Sequence, residues 1–429
     1  MSLRCEILST GDEVLTGMLV DTNAAYLADQ MGSLGFEVVR QITVGDDRAQ
    51  LDAAFRAMGE SADVVLCTGG LGPTVDDLTT EVAASVLGAG LKLDAPSLAY
   101  MEGLWKSRGR AMPENNKKQA LIPEPADVLP NPIGTAPGFT VKIGRAQFFF
   151  MPGVPREMKR MFTEQVVPRV EALRPEPTVF TVRIYRSFGL TESGADQRLK
   201  GLEERHPGVK LGFRAHFPEI QIKLTVKGPD AAAAQARLDA AAAEVTSIIG
   251  PNIFSDGDPI EAVIGAALRR ASATVSTVES CTGGLVAERI TSIAGASDYF
   301  DRGFVTYTNQ AKHELAGVPL DLLEEHGAVS EACAKAMAEG ARDRARTTYA
   351  ISVTGLAGPG GGTPDKPVGL VYVGLAGPNG TQVRKIYWPG QREQIRSISA
   401  MVGLDMLRRA LANIPPDEQD LLQRRIPQT

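Results

Sequence analysis

Three short segments in the last third of the chain hold residue types that together could open an acyl bond. Glu279-Ser280-Cys281-Thr282-Gly283-Gly284 sets a hydroxyl beside two glycines. Gly303 to Lys312 (GFVTYTNQAK) supplies Tyr307 and Lys312, and Thr354 to Gly362 (TGLAGPGGG) supplies Thr354, Gly355 and a run of glycine. A serine where a strand feeds a helix sits beside free backbone N–H groups. Such donors can hold the oxyanion formed when a hydroxyl attacks an acyl carbon. A lysine whose pKa burial lowers can take the hydroxyl proton, and Ser–Lys pairs recur on unrelated folds. The same residues also fit a blander account: a Ser N-cap with a tight turn, a plain phosphate loop, a solvated lysine and a flexible surface loop. Cys281 is a rival nucleophile without an assigned base, since His313 and His326 are the only histidines in this part of the chain.

A second constellation lies near the N-terminus. Thr10-Gly11-Asp12-Glu13-Val14-Leu15-Thr16-Gly17 is followed by Asp21-Thr22-Asn23, and Thr68 to Thr79 reads TGGLGPTVDDLT. Gly69, Gly70 and Gly72 let backbone N–H groups cradle a phosphate, and a carboxylate a few residues on can hold a hard divalent cation. Loop geometry with an aspartate N-cap explains the same spacing.

These segments need elements to position them. Short apolar runs at Cys5–Leu8, Asp63–Cys67 and Phe148–Met151 alternate with amphipathic stretches such as Asn23–Leu34, which predicts a parallel sheet covered by helices. Arg174-Pro175-Glu176-Pro177 reads as a linker. Beyond it, strands are expected at Thr178–Tyr185 and Glu219–Val226, with an alanine-rich helix at Asp230–Ile249. After a turn-rich stretch at Ser255–Pro259 the βα alternation resumes. Helices are expected at Glu261–Arg270 and Leu285–Ile293, and strands at Thr274–Val278, Gly303–Tyr307, Tyr349–Val353 and Gly369–Leu375. The tail after Pro415 is polar and expected to fray. The fold class is therefore α/β, with domains over 1–172, 173–255 and 256–429. Ligand sites in such folds gather at the carboxyl ends of strands.

Composition narrows the partners. The 429 residues are 43% hydrophobic and 22% charged, with a formal net charge of −6, so no global basic field exists to hold a nucleic acid. The four cysteines form no CxxC pair. With no apolar leader and no run of 18 apolar residues, a cytoplasmic protein without a membrane role is expected.

The motifs ESCTGG, GFVTYTNQAK, HGAVSE and TGLAGPGGG with the following KPVG together resemble the C-terminal domain of the competence/damage-inducible protein A (CinA) family, in order over residues 258–413. That family includes nicotinamide-nucleotide amidases. The resemblance implies Ser280 as nucleophile, Lys312 as base, Tyr307 as support, Thr282 and Gly283 as backbone donors, and a substrate contact from Arg396. It implies deamidation of nicotinamide mononucleotide to nicotinic acid mononucleotide and ammonia, with no cofactor for this reaction. GGLGPTVDDLT resembles the motif of molybdopterin-binding domains of the MogA/MoeA type. With Gly134–Phe139 (GTAPGF) and Pro152–Met158 (PGVPREM), the resemblance links this domain to ADP-ribose pyrophosphatase activity. A divalent ion (Mg, Mn or Co) would then lie on Asp77 and Glu13, with Gly69, Gly70, Gly72, Asp21 and Asn23 as substrate contacts. The middle segment resembles a KH-like domain. No two of its glycines lie three apart, so the GXXG clamp of RNA-binding KH domains is missing. It is expected to act as a spacer and to support a homodimer. Two other readings remain at this point: a molybdopterin-handling protein, and a non-enzymatic recruitment factor in competence or DNA repair.

Overall fold

The computed structural model describes residues 3–174 and 179–415. Thr178, most of the expected linker and the tail beyond Pro415 lie outside them. Two compact units emerge: Met1–Phe180 with Lys227–Ala231, and Thr181–Val226 with Ala232–Thr429.

The first unit is built on a six-stranded sheet. Its strands are β1 (Arg4–Thr10), β2 (Glu37–Val44), β3 (Val64–Thr68), β4 (Asp127–Leu129), β5 (Gly138–Ile143) and β6 (Ala146–Met151), in the order β2-β1-β3-β6-β5-β4. β1 runs parallel to both β2 and β3, and β3 parallel to β6, whereas β5 is antiparallel to its neighbours. The sequence of β6 shows why it sits in the middle. Successive side chains point to opposite faces. Phe148 and Phe150 accordingly enter the core with Phe55 and Phe139, while Phe149 and Met151 enter the other with Leu27 and Phe162. Phe139 stacks on Phe150 at 4.4 Å and Phe55 meets the Phe150 ring edge-on. A strand apolar on both faces belongs between helix layers. The chain passes from β1 to β2 on one side and then to β3 on the other, which makes the carboxyl end of β1 a switch point.

The second unit contains a four-stranded sheet and a five-stranded one. The former holds β7 (Val179–Ser187), β8 (Val209–His216), β9 (Glu219–Gly228) and β10 (Ile253–Ser255), in the order β8-β9-β7-β10. The expected alanine-rich helix is present as α1 (Ala231–Ile249). It buries Ala234, Leu238, Ala241, Val245 and Ile249 at helical spacing against Ile222, Leu224 and Val226 of β9. The five-stranded sheet holds β11 (Val275–Glu279), β12 (Phe300–Val305), β13 (Tyr349–Gly355), β14 (Leu370–Gly377) and β15 (Gly380–Tyr387), in the order β12-β11-β13-β14-β15. β11 is parallel to β12 and β13, and the last two strands are antiparallel. Here the switch point is the carboxyl end of β11, the position occupied by Ser280. No helix among the described residues is long and apolar enough to cross a membrane.

Candidate functional site

Ser280 is the first residue after β11. Its N–H donates to the Val353 carbonyl (2.9 Å) and its own carbonyl accepts from the Gly283 N–H (3.1 Å). That tight turn needs Gly283 at φ 58°, a conformation a side chain would disfavour. The hydroxyl is aimed at α3 (Asn309–Ala316), which follows α2 (Leu285–Thr291) in the chain. Thr308 caps α3 by accepting from the Ala311 N–H at 3.1 Å, and this fixes the turn that carries Lys312.

Lys312 Nζ donates to Ser280 Oγ at 3.2 Å and to the Thr306 carbonyl at 2.9 Å. It is 2% exposed. Burial lowers its pKa below the ordinary lysine value, opposed by the weaker pull of Cys333 and Cys281. Neither of its partners is a carboxylate, so nothing in direct contact secures the ammonium form. Cys281 stands next to Ser280, but burial pushes its thiol up to about 12. At neutral pH it is a thiol, and a thiol is a poor nucleophile.

Glu279, which motif reading passed over, is fully buried. Its carboxylate accepts from the backbone N–H groups of Gly284 (3.0 Å), Val286 (3.0 Å) and Ala287 (2.9 Å), and so caps α2. The helix N-terminus is thus occupied by this carboxylate, and the Gly283 N–H is engaged with the Ser280 carbonyl. The Thr282 N–H enters no backbone pair among the described residues. Thr282 is fully buried, its hydroxyl finds no partner, and its carbonyl accepts from Arg396 at 2.7 Å. Arg396 lies in the first turns of α5 (Arg392–Leu411), which follows α4 (Glu331–Ala345).

Tyr307 departs from expectation in position. β12 ends at Val305, because its pairing with β11 stops at Glu279 and Val305. Tyr307 therefore stands two residues beyond the strand, 58% exposed. Its hydroxyl accepts from Arg392 (3.0 Å), which also donates to the Gly358 carbonyl at 2.7 Å. Tyr307 hydrogen-bonds to neither Ser280 nor Lys312. Thr354 and Gly355 end the neighbouring β13. Thr354 donates to the Ala328 carbonyl at 2.7 Å, and a Cβ on Gly355 would meet Val371 at 2.5 Å. Both are already committed to local packing.

In the first unit, a cavity of about 830 Å³ opens at the carboxyl ends of β1, β3 and β6. Glu13, Asp21, Asn23, Gly69, Gly70, Gly72 and Asp77 all line it. Gly70 has φ 66° and lies so close to Thr79 that a Cβ would come within 2.1 Å of its hydroxyl oxygen. Asn23 donates to Thr68 Oγ1 (3.0 Å) and to the Gly153 carbonyl (2.8 Å), joining two of the loops, while its buried Oδ1 has no partner. Asp21 caps the helix Thr22–Ser33, accepting from the Ala24 N–H at 2.8 Å. Asp77 Oδ2 accepts from the Thr74 N–H (2.8 Å) and hydroxyl (2.5 Å). Lys118 donates to the carbonyls of Thr74 and Asp77 and so fixes the loop, a contribution from a residue 41 positions away that motif reading did not foresee. Among the described residues no group of three or more His, Cys, Asp or Glu side chains is placed to hold a metal ion.

The chain matches three family models: the probable molybdopterin binding domain over residues 6–172, the damage-inducible protein CinA KH domain over 182–255, and the CinA C-terminal domain over 257–411. A CinA-like protein of Anaeromyxobacter sp. (strain Fw109-5) is 48% identical over 414 residues, covering 96% of this chain and 100% of that one. Its counterpart in Myxococcus xanthus (strain DK1622) is 42% identical over 418 residues, 96% and 99% of the two chains. Among solved structures, the competence/damage inducible protein CihA from Agrobacterium tumefaciens is 44% identical, over 36% of this chain and 93% of that one, with a TM-score of 0.35. With three domain models in sequence and nearly half its residues shared along almost its whole length, the chain belongs to the CinA family.

Proposed function

We propose that the second unit hydrolyses the amide of nicotinamide mononucleotide by acyl transfer to Ser280. One observation carries this reading: the buried Lys312 Nζ lies 3.2 Å from Ser280 Oγ and has a carbonyl, not a carboxylate, as its other partner. The neutral amine takes the Ser280 proton as Oγ bonds to the amide carbon. The carbonyl oxygen becomes an oxyanion held by the Thr282 N–H. When the C–N bond breaks, the Lys312 ammonium returns its proton to the departing nitrogen, which leaves as ammonia. Water, deprotonated by the neutral lysine, then attacks the ester carbon, and the lysine ammonium returns that proton to Ser280 Oγ as the C–O bond breaks, freeing nicotinic acid mononucleotide. Arg392 and Arg396 place two cations at the rim, suited to the substrate phosphate. Tyr307, held by Arg392, acts at the mouth of the site by covering the ring. Incubation with nicotinamide mononucleotide should yield ammonia and nicotinic acid mononucleotide in equal amounts; release of free nicotinamide instead would point to glycosidic cleavage and sink the reading.

A second reading, for the first unit, is supported by its cavity: hydrolysis of ADP-ribose to AMP and ribose 5-phosphate. About 830 Å³ is room for a nucleotide, and the Gly69–Gly72 loop offers backbone donors for its pyrophosphate. The donor set does not form a closed metal cage. It does fit a magnesium-like ion that keeps waters and is shared between one or two carboxylates and the substrate phosphates. Asp77 and Glu13 would hold it, and a bound ion would polarise a pyrophosphate oxygen. We also assign a cytoplasmic location and a homodimer, the KH-like segment contributing to the interface.

A further inference from the structure

His216-Phe217-Pro218-Glu219 puts an aromatic in the two-residue turn between β8 and β9, a place that small polar residues usually fill. Arg214, Ala215 and His216 on the approach are exposed, yet Pro218 and Glu219 just beyond are buried. Glu219 Oε2 accepts from Arg186 Nε (2.8 Å) and NH2 (2.7 Å). The Phe217 ring lies against that of Trp388, with centroids 5.2 Å apart and planes tilted by 47°, a separation at which aromatic rings attract. Phe188 and Phe254, from the same four-stranded region, enter the core that contains Trp388. The hairpin tip is therefore seated on the short segment between β15 and α5.

Trp388 stands where two parts of the Ser280 site meet. Its N–H donates to the Gly369 carbonyl (3.0 Å), and the Gly369 N–H donates to the Leu356 carbonyl (2.7 Å), which ties it to the glycine-rich loop holding Gly358. Its own carbonyl accepts from the Gly390 N–H (3.0 Å). A Cβ on Gly390 would come within 2.6 Å of both the indole Nε1 and Gln394 Oε1. Gln391 and Gln394 form the reciprocal cap that starts α5. Arg392, the first residue of α5, then donates to both the Gly358 carbonyl and the Tyr307 hydroxyl.

We infer that Phe217 is a positioning residue for substrate binding at the Ser280 site: by bracing Trp388 it fixes Arg392 against Gly358 and Tyr307. The KH-like segment is then part of the amide-hydrolysing machinery, not only a spacer. The inference rests on the reading of Arg392 as a cation for the substrate phosphate. Loss of the Phe217 ring frees Trp388 to shift and loosens the start of α5. Ser280 and Lys312 are held by β11 and α3, so the reacting pair keeps its geometry.

The test compares the full-length wild type with Phe217→Ala and Phe217→Tyr. With nicotinamide mononucleotide, Phe217→Ala should raise KM about fivefold or more while kcat stays within about twofold. Phe217→Tyr, which keeps the ring, should restore KM to within about twofold of the wild type. Hydrogen–deuterium exchange in Phe217→Ala should quicken over residues 388–396 and stay unchanged over 279–291. An unchanged KM in Phe217→Ala, a loss confined to kcat, or unaltered exchange over 388–396 would overturn the assignment. Failure of the wild type to release ammonia would instead sink the amide reading, and the exchange comparison would still decide whether Phe217 braces α5.

Discussion

Lys312 is held in a state that costs the fold and serves the proposed chemistry. A lysine with a lowered folded pKa binds its proton less tightly than in the unfolded chain. The resulting destabilisation is fully present below the folded value and is relieved as pH rises toward the ordinary lysine value. Lys312→Met, which keeps the length and removes the charge, should therefore stabilise the protein by about 1–2 kcal/mol at neutral pH, read from urea unfolding, while abolishing deamidation. A destabilised Lys312→Met would show that the buried amine contributes net stability. For turnover the sign follows from the same shift. The base is the unprotonated amine, so deamidation should rise with pH through a group titrating below ~10.4. Lys312→Arg should be inactive, since guanidinium keeps its proton. A rate flat with pH, or an active Lys312→Arg variant, would remove this lysine from the role.

At the scale of elements, the β11–α2 junction is assembled by a residue whose carboxylate is spent on the backbone of α2. Glu279 satisfies three N–H groups of α2 with one carboxylate, and charge-assisted bonds of this kind are among the stronger ones. Glu279→Ala leaves those donors buried and should cost about 2–3 kcal/mol of stability. Its kcat should fall more than its KM changes, because the Ser280 turn rests on the cap. Unchanged stability in Glu279→Ala would contradict the capping role. How far the sequence revealed these elements depended on pattern strength. The strands bearing Cys5, Phe148 and Tyr349 were legible from apolar runs, and the alanine-rich helix from propensity. β12 was read as Gly303–Tyr307, starting three residues late and running two residues past its end at Val305, since its bounds are set by where it pairs with β11, not by its own residues. β15, with only Val383 and Ile386 as aliphatic side chains, gave no strong run. That Ser280 and Lys312 belong to one site was legible through motif resemblance, whereas the contacts of Glu279, Arg392 and Lys118 were not. Their roles arise from contacts between segments distant along the chain or from a cap reached backwards, and spacing alone encodes neither.

For the whole molecule, the two proposed reactions belong to two sets of strand ends, and only the pyrophosphate reaction is expected to involve a metal. EDTA or Asp77→Ala should stop AMP formation from ADP-ribose and leave ammonia release within about twofold of the wild type. Loss of both activities with EDTA would break this division. Both reactions consume fragments of pyridine dinucleotides, which gives one chain for both a chemical coherence. The central claim is the nucleophile, and ammonia release from nicotinamide mononucleotide by Ser280→Ala and Cys281→Ala, assayed beside the wild type, tests it most directly. Ser280→Ala should fall by about 10³-fold or more, as removal of a covalent nucleophile does, with Cys281→Ala keeping most of the rate. A dead Cys281→Ala beside an active Ser280→Ala would contradict the account.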